Sequence, residues 1–169
     1  MTNGHIYMSE SGLAKTKEAL ERKLVEYDEL CRERTLAYAQ SGDGWHDNPH
    51  FNRMQQLEAD KTREIAALKV IVESAKVLMI EPNKRPTARV AIGSIVKLFV
   101  TYESSNESKE LIWEITGYNE TDVSRWQLAY NTPMASSLLG AEVGEEIEVR
   151  LPGGMAFITV LELISASVI

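Results

Sequence analysis

Residues 41–51 (Ser-Gly-Asp-Gly-Trp-His-Asp-Asn-Pro-His-Phe) gather the side chains of this chain most able to do chemistry: Asp43 and Asp47, His46 and His50, and Trp45. The Gly, Asn and Pro residues among them make the backbone turn. Two carboxylates on a turn offer hard oxygen ligands. Mg²⁺ takes such ligands and keeps several waters, so one or two carboxylates on a protruding turn can suffice to hold it. His46 and His50 are i and i+4 around Asp47, and imidazoles at that spacing can hold Zn²⁺ or Ni²⁺. Pro49 disturbs their common helical face, which leaves His46 as an exposed contact and His50 as a first-turn helix residue. Trp45 is either an apolar contact for a partner or a staple across the turn. The plain alternative for the whole stretch is a polar hairpin tip with a helix cap.

The flanking stretches position this turn. Ser9 is a plausible N-cap, and a helix follows from about Glu10 to about Gln40. Leu13, Leu20 and Tyr27 recur at seven, as do Leu24, Cys31 and Tyr38, which reads as a coiled-coil seam weakened by Arg34. Asn48-Pro49 reads as N-cap and N1 of a second helix running to about Leu78. Phe51, Met54, Leu57, Ile65, Leu68, Val72 and Ala75 form its stripe, with Glu58 and Lys61 on the seam side. Each helix is ~45 Å long at 1.5 Å per residue. Neither has a continuous apolar face, so the two are expected to pair as an antiparallel coiled coil over 1–80, a thin rod with its acidic tip at 41–51. Cys31 is a seam residue with no His or Asn motif beside it. Lys61 and Arg63 are either solvated charges or RNA contacts.

Glu81-Pro82-Asn83-Lys84-Arg85-Pro86 reads as a linker. Beyond it the hydrophobic period falls to 2, and residues 81–169 are expected to form a β-rich globular domain. Strands are expected at Ile95–Val100, Leu111–Ile115, Glu146–Leu151 and Phe157–Ile164, with a loop at Ser104–Ser108 and a tight turn at Pro152-Gly153-Gly154. A short helix is expected at Met134–Leu139, opened by Asn131-Thr132-Pro133 and closed by Gly140. The fold class is therefore α+β.

No run of ~18 apolar residues marks a membrane span, and the N-terminus carries no basic and apolar leader. A single cysteine excludes an internal disulfide and suggests the cytoplasm. The net charge of −7 argues against broad, unaided nucleic-acid binding. Residues 1–80 carry 11 Lys+Arg against 13 Asp+Glu, and residues 81–169 carry 7 against 12.

Several motifs, in order along nearly the whole chain, resemble the GreA/GreB family of bacterial transcription elongation factors. They are Tyr7-Met8-Ser9 with Gly12, Gly42-Asp43 and Asp47-Asn48, Asn131-Thr132-Pro133-Met134-Ala135, Leu138-Leu139-Gly140, Val143-Gly144-Glu145-Glu146 and Pro152-Gly153-Gly154. The resemblance implies an N-terminal antiparallel coiled-coil hairpin and a C-terminal FKBP-like domain. It implies a monomeric factor that binds RNA polymerase, with the Asn131-Thr132-Pro133 loop at the rim of the secondary channel and the coiled coil reaching down it. Trp45 and His46 would then contact polymerase. Asp43 and Asp47 would help hold the second Mg²⁺ of the polymerase active site and orient water, and the polymerase would hydrolyse the 3′ end of backtracked RNA. The chain would be no enzyme itself and would meet the nascent RNA only indirectly. Asn131-Thr132-Pro133 is also a plain helix cap with Pro at N1, and both roles can hold together. The FKBP-like fold does not bring a rotamase activity with it. In one respect the chain departs from the family. The tip acids of cleavage-competent members are Asp then Glu three residues apart, whereas Asp43 and Asp47 are four apart, with Gly44 or Trp45 as the inserted residue. Relatives that occupy the same channel and inhibit polymerase leave regulation without cleavage as the alternative.

Overall fold

The computed structural model describes residues 5–41, 48–81, 83–105 and 107–165. The chain divides into two compact units, one of residues 1–6 and 13–75 and one of residues 7–12 and 76–169. Among the described residues no helix is long and apolar enough to cross a membrane.

In the first unit, α1 (Glu10–Ser41) and α2 (Pro49–Ser74) form the helical hairpin. Among the described residues, three cross-helix charge pairs run between them beside the buried Ala37, Phe51, Met54 and Ile65. Lys23 reaches Glu64 at 2.7 Å and Lys61 reaches Glu26 at 2.6 Å. Arg34 pairs with Glu58, which also accepts from the Tyr27 hydroxyl at 3.2 Å. The lysine at 61 holds the Glu26 carboxyl below its ordinary range, and Lys23 does the same for Glu64. The Lys23 ammonium is raised in turn, chiefly by Glu64.

The seam differs from the expected one. The least exposed positions of α1 include Thr16, Leu20, Lys23, Tyr27, Leu30, Arg34 and Ala37, an alternation of three and four. Leu24 is 40% and Tyr38 50% exposed, and on α2 Leu57 is 40% exposed. The series 13, 20, 27 stands; of the series 24, 31, 38 only Cys31 is half-buried, as a seam residue should be, and positions 16, 23, 30 and 37 complete the seam instead of Leu24 and Tyr38. Reading apolar residues alone selects Leu24 and Tyr38. The true seam accepts Lys23 and Arg34 because each has a carboxylate across from it. On α2 the seam runs through Phe51, Met54, Glu58, Lys61, Ile65 and Leu68.

The second helix is shorter than expected. It stops at Ser74, and Ala75–Val77 is a strand, β2, paired with β1 (Ile6–Met8). The Leu78 N–H donates to the Met8 carbonyl at 2.9 Å. A partner strand from the other end of the chain offers the backbone donors an alternative to helix, and tertiary pairing overrides local propensity.

The second unit holds a five-stranded sheet in the order β5-β4-β3-β7-β6. Its strands are β3 (Ile95–Tyr102), β4 (Glu107–Thr116), β5 (Gln127–Ala129), β6 (Glu146–Leu151) and β7 (Gly154–Ile164). With the short helix α3 (Pro133–Leu138) it gives the α+β arrangement expected. Only β4 and β5 run parallel. Period-2 alternation sets the inner face: Val96, Leu98 and Val100 are fully buried and pack with Ile115, Ile158, Val160 and, from α3, Ala135 and Leu138. Strand β7 begins at Gly154 rather than at 157, and β4 at Glu107 rather than at 111, because both extend into their hairpin turns. β5 and a single 3-10 turn, Val123–Arg125, were not expected. The linker stretch is also tied down. The Arg85 side chain is 8% exposed and donates at 2.8 Å to the Gly93 carbonyl and to Glu114, so it is no solvated linker charge. Pro82 lies outside the described residues.

The first turn of α1 is capped twice. Ser9 Oγ accepts the Gly12 N–H at 3.0 Å, the ordinary N-cap bond. The Glu120 carboxylate, 111 residues away, accepts from the Ser9 N–H at 2.9 Å and from the Ser9 hydroxyl at 2.6 Å. In a capping box this acid sits three residues after the cap, a position held here by Gly12. A Cβ built on Gly12 would stand 1.8 Å from Glu120 Oε1.

Two outcomes follow. Within a helix, Gly→Ala ordinarily stabilises by about 1 kcal/mol; Gly12→Ala is expected to lower the thermal midpoint instead, and a raised midpoint would refute the Glu120 cap. The hairpin's charge pairs set a pH window. The lowered Glu26 and Glu64 carboxyls contribute above their unfolded values, and that contribution is lost as pH falls through the folded values. Raised Lys23 contributes below its unfolded value and loses this as pH rises through the folded one. Helical circular dichroism melts should therefore be flat around neutrality and fall off below about pH 4 and above about pH 10.5.

Candidate functional site

The acidic stretch lies between two helix ends. Asn48 caps α2 with extended backbone (φ −83°, ψ 106°), and its side-chain oxygen accepts from His50 N–H at 2.9 Å and Phe51 N–H at 3.4 Å. Pro49 follows at N1, where its missing donor costs nothing. Phe51 is buried as expected, its ring 5.9 Å from that of Tyr38 at 51°. Ala37 and Met54 are buried near the same helix ends. His50 is exposed. The ends of α1 and α2 are thus closed by a cap and a small apolar cluster. Asp43, Trp45, His46 and Asp47 lie outside the described residues, and the His46–His50 metal reading rests on one of them. Among the described residues no group of three His, Cys, Asp or Glu could hold a metal ion.

The second candidate, Asn131-Thr132-Pro133, is fully described. Thr132 is the N-cap of α3: its hydroxyl accepts from Ala135 N–H at 3.3 Å and donates to the Ala129 carbonyl at 2.8 Å. That hydroxyl is engaged as donor and acceptor at once, and the residue is half-buried. Asn131 and Pro133 are exposed and are the members of the loop free to meet another surface. The Asn131 amide is not loose. It donates to Asn119 Oδ1 at 2.9 Å and accepts from Asn119 N–H at 3.1 Å. Asn119 takes a left-handed backbone, φ 56°, which Asn tolerates better than most residues. Reading the sequence missed Asn119. Its only local signal is the Gly117-Tyr118-Asn119 run, a turn without an evident client. Tyr118 N–H donates to the Tyr7 carbonyl at 2.8 Å, and the Tyr118 and Tyr130 rings lie 6.5 Å apart. The loop is therefore a preformed exposed corner, Asn131 and Pro133, standing on a satisfied cap.

Residues 85–165 match the family described as "Transcription elongation factor, GreA/GreB, C-term". The chain is similar to the transcription elongation factor GreA of a Nitratiruptor species, 29% identical over 156 residues that cover 92% of this chain and 91% of that one. It is similar to the GreA of Nautilia profundicola, 32% identical over 109 residues, 64% of each chain. Among solved structures it is similar to GreA factor homolog 1 (Gfh1) of Thermus thermophilus, with TM-score 0.42, 22% identity, and coverage of 95% of this chain and 99% of that one.

Thr132→Ala is expected to cost about 1 kcal/mol of unfolding free energy in a urea titration, as loss of an N-cap does, and Thr132→Ser to restore most of it. An unchanged midpoint for Thr132→Ala would remove the cap from the account of this loop.

Proposed function

We propose that the chain, which is similar to the GreA transcription elongation factors over most of its length, acts on elongating RNA polymerase and stimulates cleavage of backtracked RNA through Asp43 and Asp47. The observation that carries this reading is the placement of these acids. They sit in the stretch that joins a helix of 32 residues to one of 26. At 1.5 Å per residue these helices run to ~48 Å and ~39 Å, and charge pairs between residues 23–34 and 58–64 fix their register. A hairpin of this length and thickness suits insertion into a narrow channel such as the polymerase's secondary channel, and the carboxylates ride on the segment that would enter first.

The chemistry asks little of the factor. Two-metal hydrolysis of a phosphodiester uses a pair of ions about 4 Å apart on the attacking and leaving oxygens. Mg²⁺ bound at the polymerase supplies the charge that stabilises those oxygens. Asp43 and Asp47 supply hard oxygen donors of the right kind, too few for a self-sufficient site and enough to complete a shared one. Asn48, next in the chain after Asp47, anchors that end of the segment on the first turn of α2. The acidic charge of residues 81–169, 12 Asp+Glu against 7 Lys+Arg, fits a protein partner better than a bare nucleic acid. Asn131 and Pro133 provide the docking corner at the channel rim, and Trp45 and His46 further contacts inside.

A second reading has its own observation. The acids are four residues apart and the second is Asp, shorter by a methylene than Glu. A misplacement of about 1 Å can cost on the order of 100-fold in rate. On that reading the factor occupies the channel and slows synthesis without efficient cleavage.

A backtracked elongation complex with 3′-labelled RNA separates the two. The wild-type protein with Mg²⁺ is expected to release short 3′ fragments. Asp43→Asn and Asp47→Asn should each slow release on the order of 100-fold while polymerase binding persists. Binding without release by the wild-type protein, together with slower synthesis on unstalled complexes, would establish the second reading. Deletion of Gly44, which brings the acids to three residues apart, should then restore cleavage.

A further inference from the structure

The turn Asp122–Trp126 is built more rigidly than a surface connection needs, and it presents apolar side chains to solvent. Asp122 and Gln127 exchange two backbone hydrogen bonds, each at 2.9 Å, which close the turn at its base. Asp122 Oδ1 accepts from the Ser124 N–H at 3.0 Å and from the Ser124 hydroxyl at 2.5 Å. Trp126 donates its N–H to the Val123 carbonyl at 3.2 Å, and its own carbonyl accepts the Glu114 N–H at 2.9 Å. On this closed frame Val123 is 67% and Trp126 51% exposed.

Trp126 also takes a left-handed backbone, φ 56°, a conformation unfavourable for non-glycine residues. Glycine would relieve that cost. A large indole held half in water at such a position runs against both solvation and backbone preference. Its contact with the Trp113 ring, at 5.6 Å and 63°, is edge-on and leaves part of the indole uncovered. Exposed, preorganised Trp residues with an apolar neighbour are what protein interfaces use as anchors, because little side-chain freedom remains to be lost on binding.

We infer that Val123 and Trp126 form a second contact with RNA polymerase, beside the Asn131–Pro133 corner, where the indole face receives a Lys or Arg of the partner. This rests on the polymerase-binding reading above. Two observations support the occupant. Trp126 and Asn131 are five positions apart, at most about 18 Å of extended chain, and a standard interface covers ~800 Å² of each partner, roughly 30 Å across. Both features therefore fit within one footprint. The acidic residues 81–169, 12 Asp+Glu against 7 Lys+Arg, favour a cationic partner surface, and a cation over an indole face is the strongest of the cation–π pairs.

The experiment titrates cognate core RNA polymerase with the full-length wild-type protein, Trp126→Gly and Val123→Ser, alongside thermal melts of each. Glycine is at ease at φ 56°, so Trp126→Gly should melt within a few degrees of wild type while its Kd rises about ten-fold. Val123→Ser, at a position 67% exposed, should fold normally and weaken binding several-fold. If both variants bind as tightly as wild type, the inference is wrong and the polymerase reading stands. A Trp126→Gly that only loses stability, with Val123→Ser binding normally, would make the indole a cover for Trp113 and also overturn it. If the wild-type protein does not bind at all, the polymerase reading itself fails.

Discussion

The carboxylate of Glu120 is the interaction on which the second compact unit is organised. A helix start leaves four backbone N–H groups without partners, and α1 meets this need with an acid from a distant turn. Glu120 takes the Ser9 N–H and hydroxyl through one oxygen and the Gly117 N–H, at 3.1 Å, through the other. A negative group at that end of α1 also suits the helix dipole. The arrangement leaves room for only two glycines. Gly12 must lack a Cβ because Glu120 fills that space, and a Cβ on Gly117 would stand 2.6 Å from the Met8 Cα. The turn drawn tight by this carboxylate carries Asn119, whose amide holds Asn131, and Asn131 leads into the cap of α3. One buried-edge carboxylate therefore governs the start of α1 and, two contacts on, the exposed corner proposed to meet polymerase.

The hairpin follows a different logic. Its seam gives up apolar burial at Lys23, Arg34, Glu58 and Lys61 and replaces it with cross-helix charge pairs. Exposed pairs of this kind add little stability. They do impose a register, since a shift of either helix by a few residues would set like charges opposite one another. For a hairpin proposed to enter a channel, a fixed register keeps the residues joining the helices at a constant reach, and a polar surface avoids a sticky apolar face outside the partner.

The proposed tip and the docking corner differ in how they are supported. Asn48 and the Tyr38–Phe51 contact define where the helices end, and the residues between carry the acids by sequence alone. The Asn131–Pro133 corner is defined atom by atom, with Thr132 committed to the cap and Asn131 to Asn119. Two exposed residues of that corner, and the closed turn with Trp126 a short strand away, are the surfaces proposed to meet polymerase. Arg85 and Glu114 belong to the interior: their 2.8 Å pair, joined by Gln127 Nε2 at 3.0 Å, secures the stretch that the sequence alone presents as a loose linker.

Local signals were legible without coordinates. Ser9 and Asn48-Pro49 mark helix starts, Thr132-Pro133 marks the start of α3, Pro152-Gly153 marks a hairpin turn, and the alternation from Val96 to Val100 marks the buried face of β3. Each depends on bonds or periodicity within a few residues, so the long helices, the main strands, their α+β order and the position of Asp43 and Asp47 between two long helices follow from local pattern alone. The choice of seam positions, the end of α2 at Ser74, the short strand β5, the Arg85–Glu114 pair and the reach of Glu120 back to Ser9 were decided only in the tertiary structure. In each of these a group is satisfied by a partner remote in the chain: a lysine is seam-compatible only opposite a glutamate on the other helix, and a helix ends early only where a strand from the N-terminus accepts its backbone. Such pairings depend on which surfaces meet, and no local periodicity encodes that.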